Sequence, residues 1–180
     1  MLTTDSYIEI TPTSVLLNGN PIQVETTGDK MLVELYRRYA GDYPKFFKMD
    51  TLCRLGFIAA EILLKEPIAN SQQPKAIIMG NRSASIKNDT DYLATISDGN
   101  YYPSPSLFVY TLPNIVTGEI AIRHHIQGET SFYILQNPEQ LDALILSTFN
   151  IQHSTSALAG WVECSAPNEF YAKLQIIWNN

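Results

Sequence analysis

The run Ala76-Ile77-Ile78-Met79-Gly80 carries no polar side chain and follows a loop at 66–74 rich in Pro, Asn, Ser and Gln. A strand with one wet face alternates apolar and polar residues. A continuous apolar run closed by Gly predicts instead a strand covered on both faces, as in a parallel or mixed sheet. Such a sheet requires helices to cover it, and the chain supplies them. After Asp29, the residues Met31, Leu32, Leu35, Tyr36 and Tyr39 recur at helical spacing, with Gly41 as a stop. Asp50 is placed to cap a second helix carrying Leu52, Cys53, Leu55, Phe57, Ile58, Ile62 and Leu63, whose wide apolar surface predicts burial.

The remaining pattern continues the alternation. Short apolar runs at 7–10 and 15–17, the turn chemistry of Asn18-Gly19-Asn20-Pro21 and a run at 22–24 predict an N-terminal hairpin or meander. Helices are expected at 89–97, 112–126 and 138–149, and strands at 131–135, 156–163 and 170–178. A loop rich in aromatics and Pro at 98–105 and a turn at 165–168 complete the set. Alternating helices and buried strands argue for a layered α/β domain.

With 180 residues, 45% of them hydrophobic, the chain has material for one well-buried core, and a single domain over 1–180 is expected. A net charge of −6 leaves no basic footprint for nucleic acid. Arg37, Arg38, Lys45 and Lys48 form a modest basic cluster, read as an ordinary solvated face. No segment has the roughly 18 to 20 uninterrupted apolar residues needed to span a membrane, and the start lacks a charged region followed by an apolar one, so a cytoplasmic location is expected. Cys53 and Cys164 are too few for a disulfide framework, and no Cys/His cluster has zinc-site spacing, so no metal or cofactor is expected. His124 and His125 are adjacent and point about 100° apart on a helix, which predicts one packed and one solvated ring. The small polar segment 80–85 lacks Walker spacing and reads as a loop closing a strand. Asp89 and Asp91 do not make an acid/base pair by spacing alone, and His153 could meet Cys164 or Ser154 only through the tertiary fold.

Lys48-Met49-Asp50 opening an apolar helix, the strand into Met79-Gly80-Asn81, and Thr111-Leu112-Pro113-Asn114 leading through a Gly-containing helix to Gly128 together resemble the β-ketoacyl synthases of the thiolase superfamily. The segments 157–161 and 170–178 are similar to later strands of that family, the second after a long insertion missing here. The resemblance implies a thiolase-like N-terminal half, with a central mixed β-sheet flanked by helices, an N-terminal hairpin and a C-terminal hairpin. In the family, the strand after the Gly ends in a catalytic Cys at the head of a buried helix, and the second half of the chain supplies two catalytic His residues. The likeness stops before that half. Counting on from Gly128, the Cys position falls at Asn137 or the neighbouring Gln136, and the window holds no Cys, Ser or Thr.

The residues that stand there make a good helix start. Asn137 suits the N-cap, Pro138 the first helical position and Glu139 the first turn, while Gln140 is placed to complete a capping box. Asn cannot form a thioester, so catalytic residues are expected to be absent from this degenerate elbow. Some family members carry Gln in place of the Cys, so the resemblance leaves open a malonyl-thioester decarboxylase using Gln136, or a module binding an acyl or pantetheine group. The expected role is a non-catalytic subunit of fatty-acid or polyketide synthesis, including aryl-polyene-type pigments. Its expected partners are a second copy or a complete ketosynthase, with an acyl carrier protein as a further one. The resemblance implies that the strand before the elbow pairs across a dimer. Thr130, Phe132 and Ile134, with the aromatic residues Tyr102, Phe108 and Tyr110, are the interface candidates; Tyr101 belongs to the same aromatic loop.

Overall fold

A computed structural model describes residues 2–65, 74–99, 102–152 and 156–179. Strands β1 (Leu2–Ile10), β2 (Val15–Leu17) and β3 (Asn20–Pro21) form the expected meander. Asn18 and Gly19 turn it at φ 52° and 79°, a left-handed conformation that these two residue types tolerate best. Helix α1 (Gly28–Tyr39), a 3-10 turn (Pro44–Lys48) and α2 (Thr51–Leu63) follow, then β4 (Ala76–Asn81), α3 (Ile86–Leu93), α4 (Pro105–Val109) and α5 (Ile115–His124). The chain closes with β5 (Thr130–Ile134), α6 (Pro138–Gln152), β6 (Ser156–Ala166) and β7 (Glu169–Asn179).

The strands form one mixed sheet in the order β3-β2-β1-β7-β6-β4-β5. β4 lies parallel to both β5 and β6, and all six of its residues are buried, as its unbroken apolar run requires. β6 and β7 make the C-terminal hairpin, and β7 pairs antiparallel with β1. On one face the main core joins Ile8, Leu32, Phe46, Phe57, Ile77, Ile120, Leu158 and Ile176, bringing α1, α2 and α5 onto the sheet. On the other face α6 sets Leu141 and Ile145 against Ile78, Ala157, Ala159 and Trp161. This is the mixed α/β sheet flanked by helices that the sequence led us to expect.

Several boundaries differ from expectation for physical reasons. β1 begins at Leu2, well before residue 7, because pairing with β7 orders its polar start. The run 22–24 adds no strand; Ile22 donates one hydrogen bond to the Val15 carbonyl at 2.9 Å and packs on the core. α3 starts at Ile86, with Ser85 Oγ 3.1 Å from both carboxylate oxygens of Asp89. α5 is shorter than 112–126: residues 111–114 form a turn around Pro113, and His125 ends the helix at φ 55°. Residues 66–73 of the loop expected at 66–74, Tyr101, and His153 with Ser154 lie outside the described residues.

Candidate functional site

The elbow stands where β5 passes into α6, at the carboxyl end of the parallel strands. Gly128 brings the chain into β5 beside the Lys75 carbonyl, where a Cβ would sit 1.8 Å from that oxygen. At the far end the Leu135 N–H donates to the Asn81 carbonyl at 2.8 Å, fixing where the strand lets go. The helix start then follows the chemistry of its residues. Asn137 Oδ1 accepts from the Gln140 N–H at 3.1 Å, and Gln140 Oε1 accepts from the Gln136 N–H at 2.9 Å. The first of these bonds occupies one of the helix-start N–H groups that would otherwise face an anion or a thiolate. The reciprocal bond reaches one residue further back than in the usual capping box. Gln136 and Asn137 are both exposed.

The neighbouring loop offers no phosphate cradle. Glu163, near the end of β6, accepts from the Arg82 N–H at 2.8 Å and the Ser83 N–H at 3.3 Å. The buried Asn81 side chain closes on Ala84, donating to its carbonyl at 2.8 Å and accepting from its N–H at 2.9 Å. Those N–H groups are already spent. Asp89 receives Ser85 Oγ, and Asp91 pairs with Lys87 one turn away. The two aspartates therefore serve local structure.

Both thiols are buried. Burial pushes the Cys53 thiol well above its ordinary value, even though it occupies the first turn of α2, and pushes Cys164 up to about 12. His124 and His125 divide as the spacing implied: His124 Nε2 lies 3.0 Å from the buried Glu61 carboxylate, while His125 is exposed at the end of α5.

α5 is anchored by a buried charge cluster that no motif in the sequence announces. Glu61 of α2 is 1% exposed and accepts from Arg123 Nε at 2.8 Å, while Arg123 Nη2 reaches Asp42 at 2.6 Å. Glu119 of α5 accepts from the Tyr43 hydroxyl at 2.9 Å and pairs with Lys45. Burial would raise the Glu61 carboxyl, but the neighbouring His124 and the bonded Arg123 outweigh it and hold the group below its ordinary value. The Tyr43 hydroxyl is pushed up to about 12 by burial and by its bond to Glu119. Acidic residues inside helices that read as apolar or amphipathic were the available signal; their partners on the other helix or loop lie 62 to 76 residues away along the chain.

The interface candidates separate. β5 is an edge of the sheet, and Thr130 and Ile134 are exposed there, Ile134 by 51%. Phe132 packs half-buried on the main core. Tyr102 is 88% exposed, and Phe108 is 59% exposed with its ring 5.6 Å from that of Tyr92. Tyr110 must be withdrawn as a surface candidate, because it is buried in the main core at 6% exposure. The exposed apolar residues Leu93, Ile96, Phe108, Val109 and Leu112 gather on and beside α3 and α4, in the crossover that leaves the carboxyl end of β4. The basic residues Arg37 and Arg38 line a separate open groove of about 720 Å³ along α1, mixed there with Glu25, Asp29 and Glu34.

The fold recurs in solved structures of ketosynthases. The chain is similar to one from a ketosynthase (ApeO) in complex with its chain length factor (ApeC) from Xenorhabdus doucetiae, with TM-score 0.69 and 12% identity over 99% of this chain and 79% of that one. It is also similar to the ishigamide ketosynthase/chain length factor, with TM-score 0.67 and 16% identity. A third likeness is to a type II polyketide synthase structure, AntDE:AntF, that holds an acyl-carrier protein in complex with its ketosynthase, with TM-score 0.65 and 13% identity. The chain spans 62% of each of the latter two chains. No protein-family model and no curated protein matches the sequence. The fold is that of the ketosynthases and chain length factors, a thiolase-like mixed sheet flanked by helices, carried here by a chain without a nucleophile at the elbow.

Proposed function

We propose that this chain is a non-catalytic ketosynthase-like subunit of polyketide or fatty-acid synthesis, which pairs with a complete condensing enzyme or with itself. The observation that carries the reading is a pair of features on one element. β5 leaves its outer edge at the margin of the sheet, and the elbow it feeds is closed by Asn137 and Gln140, with no Cys, Ser or Thr among residues 135–140. An edge strand with an exposed Ile invites pairing with another chain. A capped helix start offers no nucleophile. The similar structures named as a ketosynthase with its chain length factor supply the kind of partner, and the one holding an acyl-carrier protein extends the proposal to that carrier. Synthesis of an aryl-polyene-type pigment in the cytoplasm is its narrowest form. Decarboxylation through Gln136 is the weaker reading, since an acyl thioester at that exposed side chain would meet water rather than a closed site.

Size-exclusion chromatography with light scattering, on the chain alone and co-expressed with a ketosynthase, tests the proposal. The expected result is a dimeric mass in one of the two samples and its loss in Ile134→Lys, with the circular dichroism spectrum unchanged. A strictly monomeric chain that ignores the synthase overturns it. Incubation with malonyl-carrier protein should show no decarboxylation above background.

A further inference from the structure

The face of the sheet that α6 only partly covers holds a pocket of about 290 Å³, lined by Pro138, Leu141 and Asp142 of α6, Gly160 and Trp161 of β6, and Tyr171, Lys173 and Gln175 of β7. It opens on the side of the sheet away from α2 and α5, so it owes nothing to the proposed pairing of β5. Its walls are of two kinds. Trp161, Leu141 and Pro138 form an apolar side, with Trp161 only 7% exposed and packed into the smaller core. Lys173 and Gln175 form a polar side with bonding capacity to spare. Lys173 makes no ion pair among the described residues; its ammonium lies 5.8 Å from the centre of the Tyr7 ring. Gln175 Oε1 accepts from Thr4 Oγ1 at 3.3 Å, which leaves the amide nitrogen to donate. The Tyr171 hydroxyl is engaged with Glu9, so its ring serves as wall.

A cation and an amide donor beside a buried aromatic wall suit one ligand chemistry. We propose that this pocket binds a small carboxylate carried on a flat apolar body, the carboxylate on Lys173 and the Gln175 amide and the body against Trp161, Leu141 and Pro138. A charge-assisted bond at the mouth and aromatic contact inside are the usual division of labour in small-molecule sites. Asp142 lies on the opposite wall, its carboxyl raised by burial and by the neighbouring Glu139 and lowered by Lys173.

Titration of isotopically labelled protein with benzoate tests the site, with benzamide as the uncharged isostere. The expected result is saturable shifts confined to Trp161, Leu141, Lys173 and Gln175, weaker by about tenfold with benzamide and in Lys173→Gln, and retained in Lys173→Arg. Lys173 is exposed, so the Gln variant should keep its fold, and circular dichroism checks that. Equal binding of benzoate and benzamide, unaltered binding in Lys173→Gln, or shifts spread over surface cations without saturation overturns the proposal.

Discussion

Asn137 and Gln140 close the start of α6 with two hydrogen bonds, and the consequence is testable at single residues. Iodoacetamide at about pH 8 should leave Cys53 and Cys164 unmodified in the folded protein, as mass spectrometry would show, because burial keeps both protonated and out of reach. Asn137→Cys should be alkylated rapidly under the same conditions, since the position is exposed at a helix start. Asp50 carries a second prediction. It caps α2 by accepting from the Cys53 N–H at 2.9 Å, yet burial raises its pKa from 3.8 to about 6. A carboxyl with a raised folded-state pKa costs nothing below the unfolded value and destabilises progressively as pH rises to the folded one. Stability should therefore fall between about pH 4 and 6 on account of this group. Asp50→Asn, which keeps the cap, should remove that fall and add on the order of 2 kcal/mol at neutral pH in urea denaturation, with no gain at pH 4. The Asn137 cap was legible in the sequence because capping is local chemistry. The raised Asp50 was not, because its burial depends on what packs over it.

At the scale of elements, α5 is held by charge as well as by apolar contact. Glu61 takes Arg123 and lies beside His124, while Glu119 takes Tyr43 and Lys45, so the segment between α1 and α2 is bolted to the helix that delivers β5. Glu61→Gln should cost about 1–2 kcal/mol in chemical denaturation, because the partly buried Arg123 keeps Asp42 but loses the charge of its buried partner. It should also weaken any pairing through β5 more than a matched surface change does, since α5 positions that strand. The sequence announced α2 and α5 through apolar spacing, but it misjudged the ends of α5. Pro113 and the left-handed His125 trim the helix at both ends, and both effects depend on backbone conformation rather than on hydrophobic pattern.

At the scale of the whole molecule, the hairpin of β6 and β7 locks the start of α1. Gly28 sits at φ +60°, its N–H donating to the Pro12 carbonyl at 2.7 Å, and Asn168 Oδ1 accepts from the Asp29 N–H at 3.2 Å. A Cβ on Gly28 would lie 2.0 Å from that Asn168 oxygen. Gly28→Ala should destabilise by roughly 1–3 kcal/mol in thermal or urea unfolding, and less in an Asn168→Gly background, where the clash is gone and the left-handed turn is kept. Coupling between positions so distant in sequence is a property of the sheet that brings them together. By itself the sequence determined the order and type of most elements, the covered character of β4 and the sealed start of α6. Each of these follows from side-chain periodicity or from bonds between residues a few positions apart. Only the tertiary structure decided that β5 forms an edge, that Tyr110 is core while Ile134 is surface, that Glu61 meets Arg123, and that a pocket opens beside Lys173. Those outcomes depend on which distant segments pack together, and no local pattern encodes that.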